Sequence, residues 1–141
     1  MALPILDTPT YELTVPSTKK KIKYRPFLVK EEKVLLLALE SEDDKEIANA
    51  MKGLIKACVL TKGINPDDLA TFDIEYIFLN IRGKSIGEDI DVKMVCPDDG
   101  KTEITTKIPI DKIKVRFTKG HTNQIQISND LWVEMKYPNI D

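Results

Sequence analysis

The chain has 141 residues, 42% apolar and 31% charged, with a net charge of −2; that suits one compact domain and excludes most large catalytic folds. No stretch approaches the roughly 18 apolar residues of a membrane span, and residues 1–7 lack the basic start and long apolar core of a secretory signal, so a soluble, intracellularly made protein is expected. With only Cys58, Cys96 and His121 of their kinds, neither a four-ligand Cys/His zinc site nor a disulfide framework can form within one chain.

Charge is unevenly spread. Residues 1–30 carry +4 (6 basic against 2 acidic), residues 31–100 carry −8 (8 against 16) and residues 101–141 carry +2 (7 against 5). An acidic middle between basic flanks gives solvated faces, or polar surfaces that orient a partner.

In chain order, Tyr11, Leu13 and Val15 alternate with Glu12 and Thr14, and after the turn 16–19 Ile22 and Tyr24 alternate with Lys21, Lys23 and Arg25. This predicts a hairpin over 1–28 with one apolar and one basic face. Residues 34–39 are apolar on every side of a helix, so a helix over 30–41 should be central and buried from several directions. Ser41 with Asp44 forms a start similar to a capping box, and the helix over 43–60 carries Ile47, Met51, Leu54, Ile55 and Cys58 on one stripe, with Gly63 as its left-handed stop. Asn65, Pro66, Asp67 and Asp68 open a third helix over 66–82, with a break or restart at Asp73; Ile74, Ile77, Phe78 and Ile81 form its stripe and Gly83 ends it.

From Asp89 the period changes to two. Ile90, Val92, Met94 and Cys96 run into the turn Pro97-Asp98-Asp99-Gly100, and Ile104, Thr106 and Ile108 return, which predicts a second hairpin. Ile113, Val115 and Phe117 against Lys112, Lys114 and Arg116 predict a half-buried strand with a cationic outer face. A loop over 118–123, a strand over 124–127, a turn at 128–130 and a strand over 131–137 complete the antiparallel part, 89–137. The fold class is α+β: about three helices (30–83) packed with antiparallel hairpins in a single domain spanning 1–141. The expected core is Leu35, Leu36, Leu39, Ile47, Met51, Leu54, Ile55, Ile77, Phe78, Ile81, Val92, Met94 and Ile108.

Catalytic patterns are missing. His121 lies in a Gly-His-Thr-Asn loop without a serine motif. Gly83-Lys84-Ser85 is similar to the end of a phosphate loop, yet Phe78 stands where its first glycine belongs, and the segment follows a helix. Cys96-Pro97-Asp98-Asp99-Gly100 resembles half a zinc ribbon with Asp99 in place of the second thiolate, which predicts a metal-free tight turn with Cys96 as a buried small hydrophobe. No catalytic residue, metal or cofactor is therefore assigned. The two basic stripes, 19–25 and 112–116, would suit a phosphate backbone, but exposed interleaved aromatics and a basic total are lacking, so a solvated sheet face or an acidic protein partner is favoured over nucleic acid. The candidate protein-contact residues are Lys112, Lys114, Arg116, Trp132, Tyr11, Lys21, Lys23 and Arg25. Trp132 is read equally well as an exposed anchor or as packed on a second layer of the same chain. The edge strands 11–15 and 131–137 present backbone groups that another chain would extend.

The run 72–87 (Phe-Asp-Ile-Glu-Tyr-Ile-Phe-Leu-Asn-Ile-Arg-Gly-Lys-Ser-Ile-Gly), leading by an alternating strand into Cys96-Pro97-Asp98-Asp99-Gly100, resembles the baseplate proteins of T4-type contractile-tailed bacteriophages. The opening is similar too: Leu3-Pro4, the strand at 11–15, then Tyr24-Arg25-Pro26-Phe27-Leu28-Val29-Lys30-Glu31-Glu32-Lys33 before a leucine-rich helix. The resemblance implies a non-enzymatic structural or assembly role in the baseplate hub, as hub subunit or assembly chaperone. Its implied partners are other phage hub and tape-measure proteins, with no small-molecule substrate and no membrane. Its implied setting is the host cytoplasm during assembly and the virion tail baseplate, where hub symmetry would suit an oligomer. Family members continue past the point where this chain ends, so a C-terminal extension is expected to be missing or the chain to be a shorter relative. The alternative function is a nucleic-acid-binding accessory protein using the basic strand faces.

Overall fold

In the computed structural model, which describes residues 7–140, the chain is α+β, with three helices and three two-stranded antiparallel sheets. Leu3-Pro4 and Asp141 lie outside the described residues. Strands β1 (Tyr11–Thr14) and β2 (Lys21–Tyr24) pair with Tyr11 opposite Tyr24 and Leu13 opposite Ile22. Because side chains alternate along a strand, this register puts Leu13, Val15, Ile22 and Tyr24 on one face, and all four are buried.

That face closes over two helices. Helix α1 (Val29–Glu40) leads into α2 (Asp44–Cys58), and α3 (Thr71–Ser85) follows a short 3-10 turn at Pro66–Asp68. Leu54, Ile55 and Cys58 of α2 and Ile74, Ile77 and Ile81 of α3 meet the hairpin in one core, joined by Phe27 and Leu69. Each fully buried Ile contributes about 1.5–3 kcal/mol of transfer free energy. The chain leaving α2 extends the sheet: the Arg25 amide donates to Cys58 O at 2.9 Å and the Leu60 amide to Lys23 O at 2.8 Å.

Buried polar contacts fix how these parts meet. Asp73 is fully buried in the first turn of α3, and its carboxylate accepts from the Ser17 amide at 3.0 Å and from the Ser17 hydroxyl, tying the β1–β2 turn to the helix. The Ser85 hydroxyl donates to Ile81 O at 2.6 Å and accepts from the Phe27 amide at 3.0 Å. Lys52 of α2 is buried with its ammonium 3.1 Å from Asp67. At the start of α3 the Pro138 carbonyl accepts from the Thr71 amide at 3.1 Å, satisfying one of the helix's unpaired donors from the chain's far end.

Strands β3 (Asp89–Val95) and β4 (Glu103–Pro109) form the second hairpin, and β5 (Gln124–Ser128) and β6 (Leu131–Glu134) the third. The second is moored where Ile110, buried after β4, packs on Gly83 of α3; a Cβ on Gly83 would stand 3.1 Å from Ile110 Cδ1. Gly83 therefore lies inside α3 as a close-packing residue, not at its end as expected. The tail after β6 is held by Tyr137, edge-on to Phe72 of α3 with ring centroids 5.0 Å apart.

Several expectations are corrected. Helix α1 is not central: it packs on α2 through one face, burying Glu31 and Ala38, while Leu36 and Leu39 stand half in solvent. An all-round apolar helix needs cover on every side, and the described residues supply it on one. Met94 and Ile108 are exposed for the same reason, with no layer of the described residues lying over the β3–β4 face, and Leu35, Ile47, Met51, Phe78 and Val92 are only half-buried. The expected strand 113–117 pairs with none of the described residues: Ile110–Lys112 is a 3-10 turn and residues 113–118 are irregular, although Ile113 and Val115 still turn inward while Lys114 and Arg116 turn outward. Asp43, not Ser41, caps α2, accepting from the Lys45 amide at 2.8 Å; the Ser41 amide instead closes α1 on Leu37 O. The helix expected to begin at Pro66 restarts at Thr71, because the 3-10 turn leads into extended residues at Leu69 and Ala70. Strand β6 stops at Glu134 rather than 137, and Cys96 is half-exposed rather than buried.

Candidate protein-docking surfaces

Arg25, expected as a contact residue, is a structural one. Its side chain is 16% exposed, its guanidinium lies 3.0 Å from Glu31 and donates to Pro26 O at 2.9 Å. Glu31 also accepts from the Leu28 amide at 2.7 Å, which stitches the end of the first hairpin to the start of α1. Burial alone would push the Glu31 carboxyl up, but the hydrogen bonds from Arg25 and Leu28 and the guanidinium charge together hold it below the usual range. Nearby, burial pushes the Cys58 thiol up to about 11, against the opposing charge of Arg25. Such a thiol is a packing group, not a nucleophile.

Tyr11 is half-buried, its ring 5.8 Å from that of Tyr24 and beneath the Lys84 ammonium at 5.0 Å. Lys21 and Lys23 are exposed on the outer face of the hairpin, and Lys23 makes a solvent-exposed pair with Glu12 at 3.7 Å, of a kind worth about 0–1 kcal/mol. Lys112, Lys114 and Arg116 are all exposed, on a turn and an irregular segment rather than on a strand. Phe117 at its end supports the Lys19 ammonium 4.8 Å above its ring and lies 6.1 Å from Phe72. Trp132 is 58% exposed beside exposed Leu131, so among the described residues it is not packed on a second layer.

The Cys96 turn keeps its shape through a carboxylate. Asp99 accepts from the amides of Lys101 and Thr102, both at 3.0 Å, and from the Thr102 hydroxyl, while the Gly100 amide donates to Cys96 O at 2.9 Å. These bonds, led by that from the Thr102 hydroxyl, bring the Asp99 carboxyl down to about 2. Among the described residues no group of three or more His, Cys, Asp or Glu is placed to hold a metal ion, and no helix is long and apolar enough to cross a membrane.

The surface that sequence reasoning missed is α1. Val34, Leu36, Leu37 and Leu39 are each half or more exposed. Beside them Phe27, Glu32, Leu35, Leu36, Leu39, Ile47, Met51, Phe78, Arg82 and Ile86 line a groove of about 350 Å³ between the three helices. Its signal lies in the run 34–39, apolar on every side of the helix.

The model of one protein family, the T4 bacteriophage base plate protein, matches residues 8–141. The chain belongs to the T4 bacteriophage base plate protein family. Nothing among curated proteins or solved structures matches it. As a phage baseplate protein it works among other baseplate proteins.

Proposed function

We propose that this baseplate protein is a component of the hub, a subunit or an assembly chaperone, acting through protein contacts with hub and tape-measure proteins and performing no catalysis. The observation that carries the reading is the half-exposed leucine face of α1 in a chain of the baseplate family. Leaving four large aliphatic side chains in water on one helix forgoes several kcal/mol of transfer free energy, at about 25 cal/mol per Å² of apolar surface, which a partner would recover. The resemblance in residues 24–33, 72–87 and 96–100 supports the hub in particular. Assembly in the host cytoplasm fits a chain that would meet its partners before the tail grows.

Lys112, Lys114, Arg116, Lys21, Lys23 and Trp132 are proposed as further contacts, the cations orienting the encounter and the tryptophan anchoring it. Deleting the gene should stop baseplate formation at the hub stage, and co-expression with the hub and tape-measure proteins of the same phage should yield a complex that co-purifies. Normal baseplates without the gene would refute the reading. Mass spectrometry of purified tails then separates the two forms of the role: a subunit remains in the particle, and a chaperone is absent from it.

A further inference from the structure

Within the groove of α1, α2 and α3, one atom is out of keeping with the rest. Arg82 Nη1 is buried and has no hydrogen-bond partner among the described residues. Glu32, the other charged residue lining the groove, makes no ion pair with it. A buried guanidinium N–H without an acceptor costs about 1–3 kcal/mol or more, a cost that a carboxylate entering the groove relieves once the Arg82 side chain turns towards it.

The walls restrict what can supply it. All lining residues except Phe27 and Ile86 lie within helices, whose backbone groups are bonded internally or, for the Leu39 carbonyl in the last turn of α1, to the Glu42 amide at 3.4 Å, and the Phe27 amide is already bonded to Ser85. The groove therefore offers no strand edge, and a segment buried in it must satisfy its own backbone groups, which an α-helix does. From Glu32 to Leu39 the α1 wall runs about 10 Å at ~1.5 Å per residue, room for two turns of a partner helix.

We propose that the groove receives an amphipathic α-helix of another baseplate protein, with apolar side chains at i, i+3 or i+4, and i+7 between Leu36, Leu39, Met51 and Phe78, and an Asp or Glu bonded to Arg82. This deepens the baseplate reading and rests on it. A carboxylate matches the guanidinium in charge and can take two N–H bonds at once, which fixes the helix in register as well as holding it.

The test uses the full chain co-expressed with the hub proteins of its phage, carrying a photo-crosslinking benzoylphenylalanine at Leu39. The expected product joins Leu39 to a peptide of a different baseplate protein with the stated apolar spacing and a carboxylate. Arg82→Met should leave the melting temperature of the isolated chain unchanged or higher, since the guanidinium has no partner there, while lowering co-purification at least tenfold. Arg82→Glu should lose binding and regain it when the partner's carboxylate is replaced by Arg. Crosslinks between two copies of this chain, or within it, overturn the proposal, as does a captured peptide that is not helical or lacks the acid. So does Arg82→Met that lowers the melting temperature and keeps the partner. Leu36→Glu, at an exposed position, gives the independent reading: normal baseplates with this variant but none on gene deletion would sink the groove and leave the baseplate role standing.

Discussion

Asp73 shows what one buried carboxylate does in this fold. Alternation along the first hairpin says which face is buried, but not where the hairpin sits; the two bonds from Ser17 to Asp73 fix that by joining the turn to the first turn of α3. A carboxylate there also faces the positive end of the helix. Replacing Asp73 by Ala removes both bonds and leaves the Ser17 amide without its acceptor, so urea unfolding should show a loss of about 2–4 kcal/mol, whereas Ser17→Ala, which removes the hydroxyl bond alone, should cost about 1–2 kcal/mol. Glu31 makes a pH-dependent counterpart. Its carboxyl titrates below its ordinary value of about 4.5 in the folded chain, so its stabilisation is complete above that pH and is lost as pH falls through the lowered folded value. The Glu31→Gln variant should therefore be less stable than the parent at pH 7, with the gap narrowing steadily below pH ~4.5 in acid titrations followed by circular dichroism. A constant gap down to acid pH would mean the side chain acts by packing alone.

At the scale of elements, the sequence was most readable where one face of an element is covered and the other is wet. The alternation of β1 and β2, the turn at Gly100 and the stripe Ile74, Ile77 and Ile81 all follow that rule, and all stand as expected. It was least readable where a face is apolar and uncovered. Periodicity reports that α1 and the β3–β4 face are made to be buried, and it is silent on whether the cover comes from the same chain. That is why periodicity puts Leu36, Leu39, Met94 and Ile108 in the core and does not mark α1 as a docking surface. Long-range partners were equally out of reach: nothing local tells that Lys52 meets Asp67, that Ile110 needs Gly83, or that Pro138 caps α3. The distinction between the two kinds of apolar residue is measurable. Ile77→Ala, in the core, should cost about 2–4 kcal/mol through lost transfer energy and a cavity, while Leu36→Ala should shift stability by less than about 1 kcal/mol. Hydrogen exchange separates the elements likewise. An isolated two-stranded hairpin is marginal in water, so amides of β3 and β4 should exchange orders of magnitude faster than those around Ile55 and Ile77 in the free chain, and slow if a partner covers their apolar face.

For the whole molecule, the two kinds of surface divide the work of association. The buried core draws on β1, β2, α2 and α3; α1, the second hairpin and the Trp132 hairpin carry uncovered apolar area, and exposed cations stand on the first hairpin and on residues 112–116. Apolar contact sets how long a complex lasts, whereas exposed charge mainly sets how often partners meet and in what orientation. Reversing Lys112, Lys114 and Arg116 to Glu lowers the net charge of −2 by six units without touching a buried group. None of the three makes an ion pair within the described residues, so the melting temperature should hardly move. Association with an acidic partner should slow by about tenfold or more in low salt, and the difference from the parent should shrink as salt rises and the Debye length falls to about 8 Å near 0.15 M. Stopped-flow association at two ionic strengths decides it. A rate unchanged by the reversal removes this face from the encounter, and a dissociation rate that rises instead would mean that the three cations sit inside the contact, beside the apolar surfaces rather than apart from them.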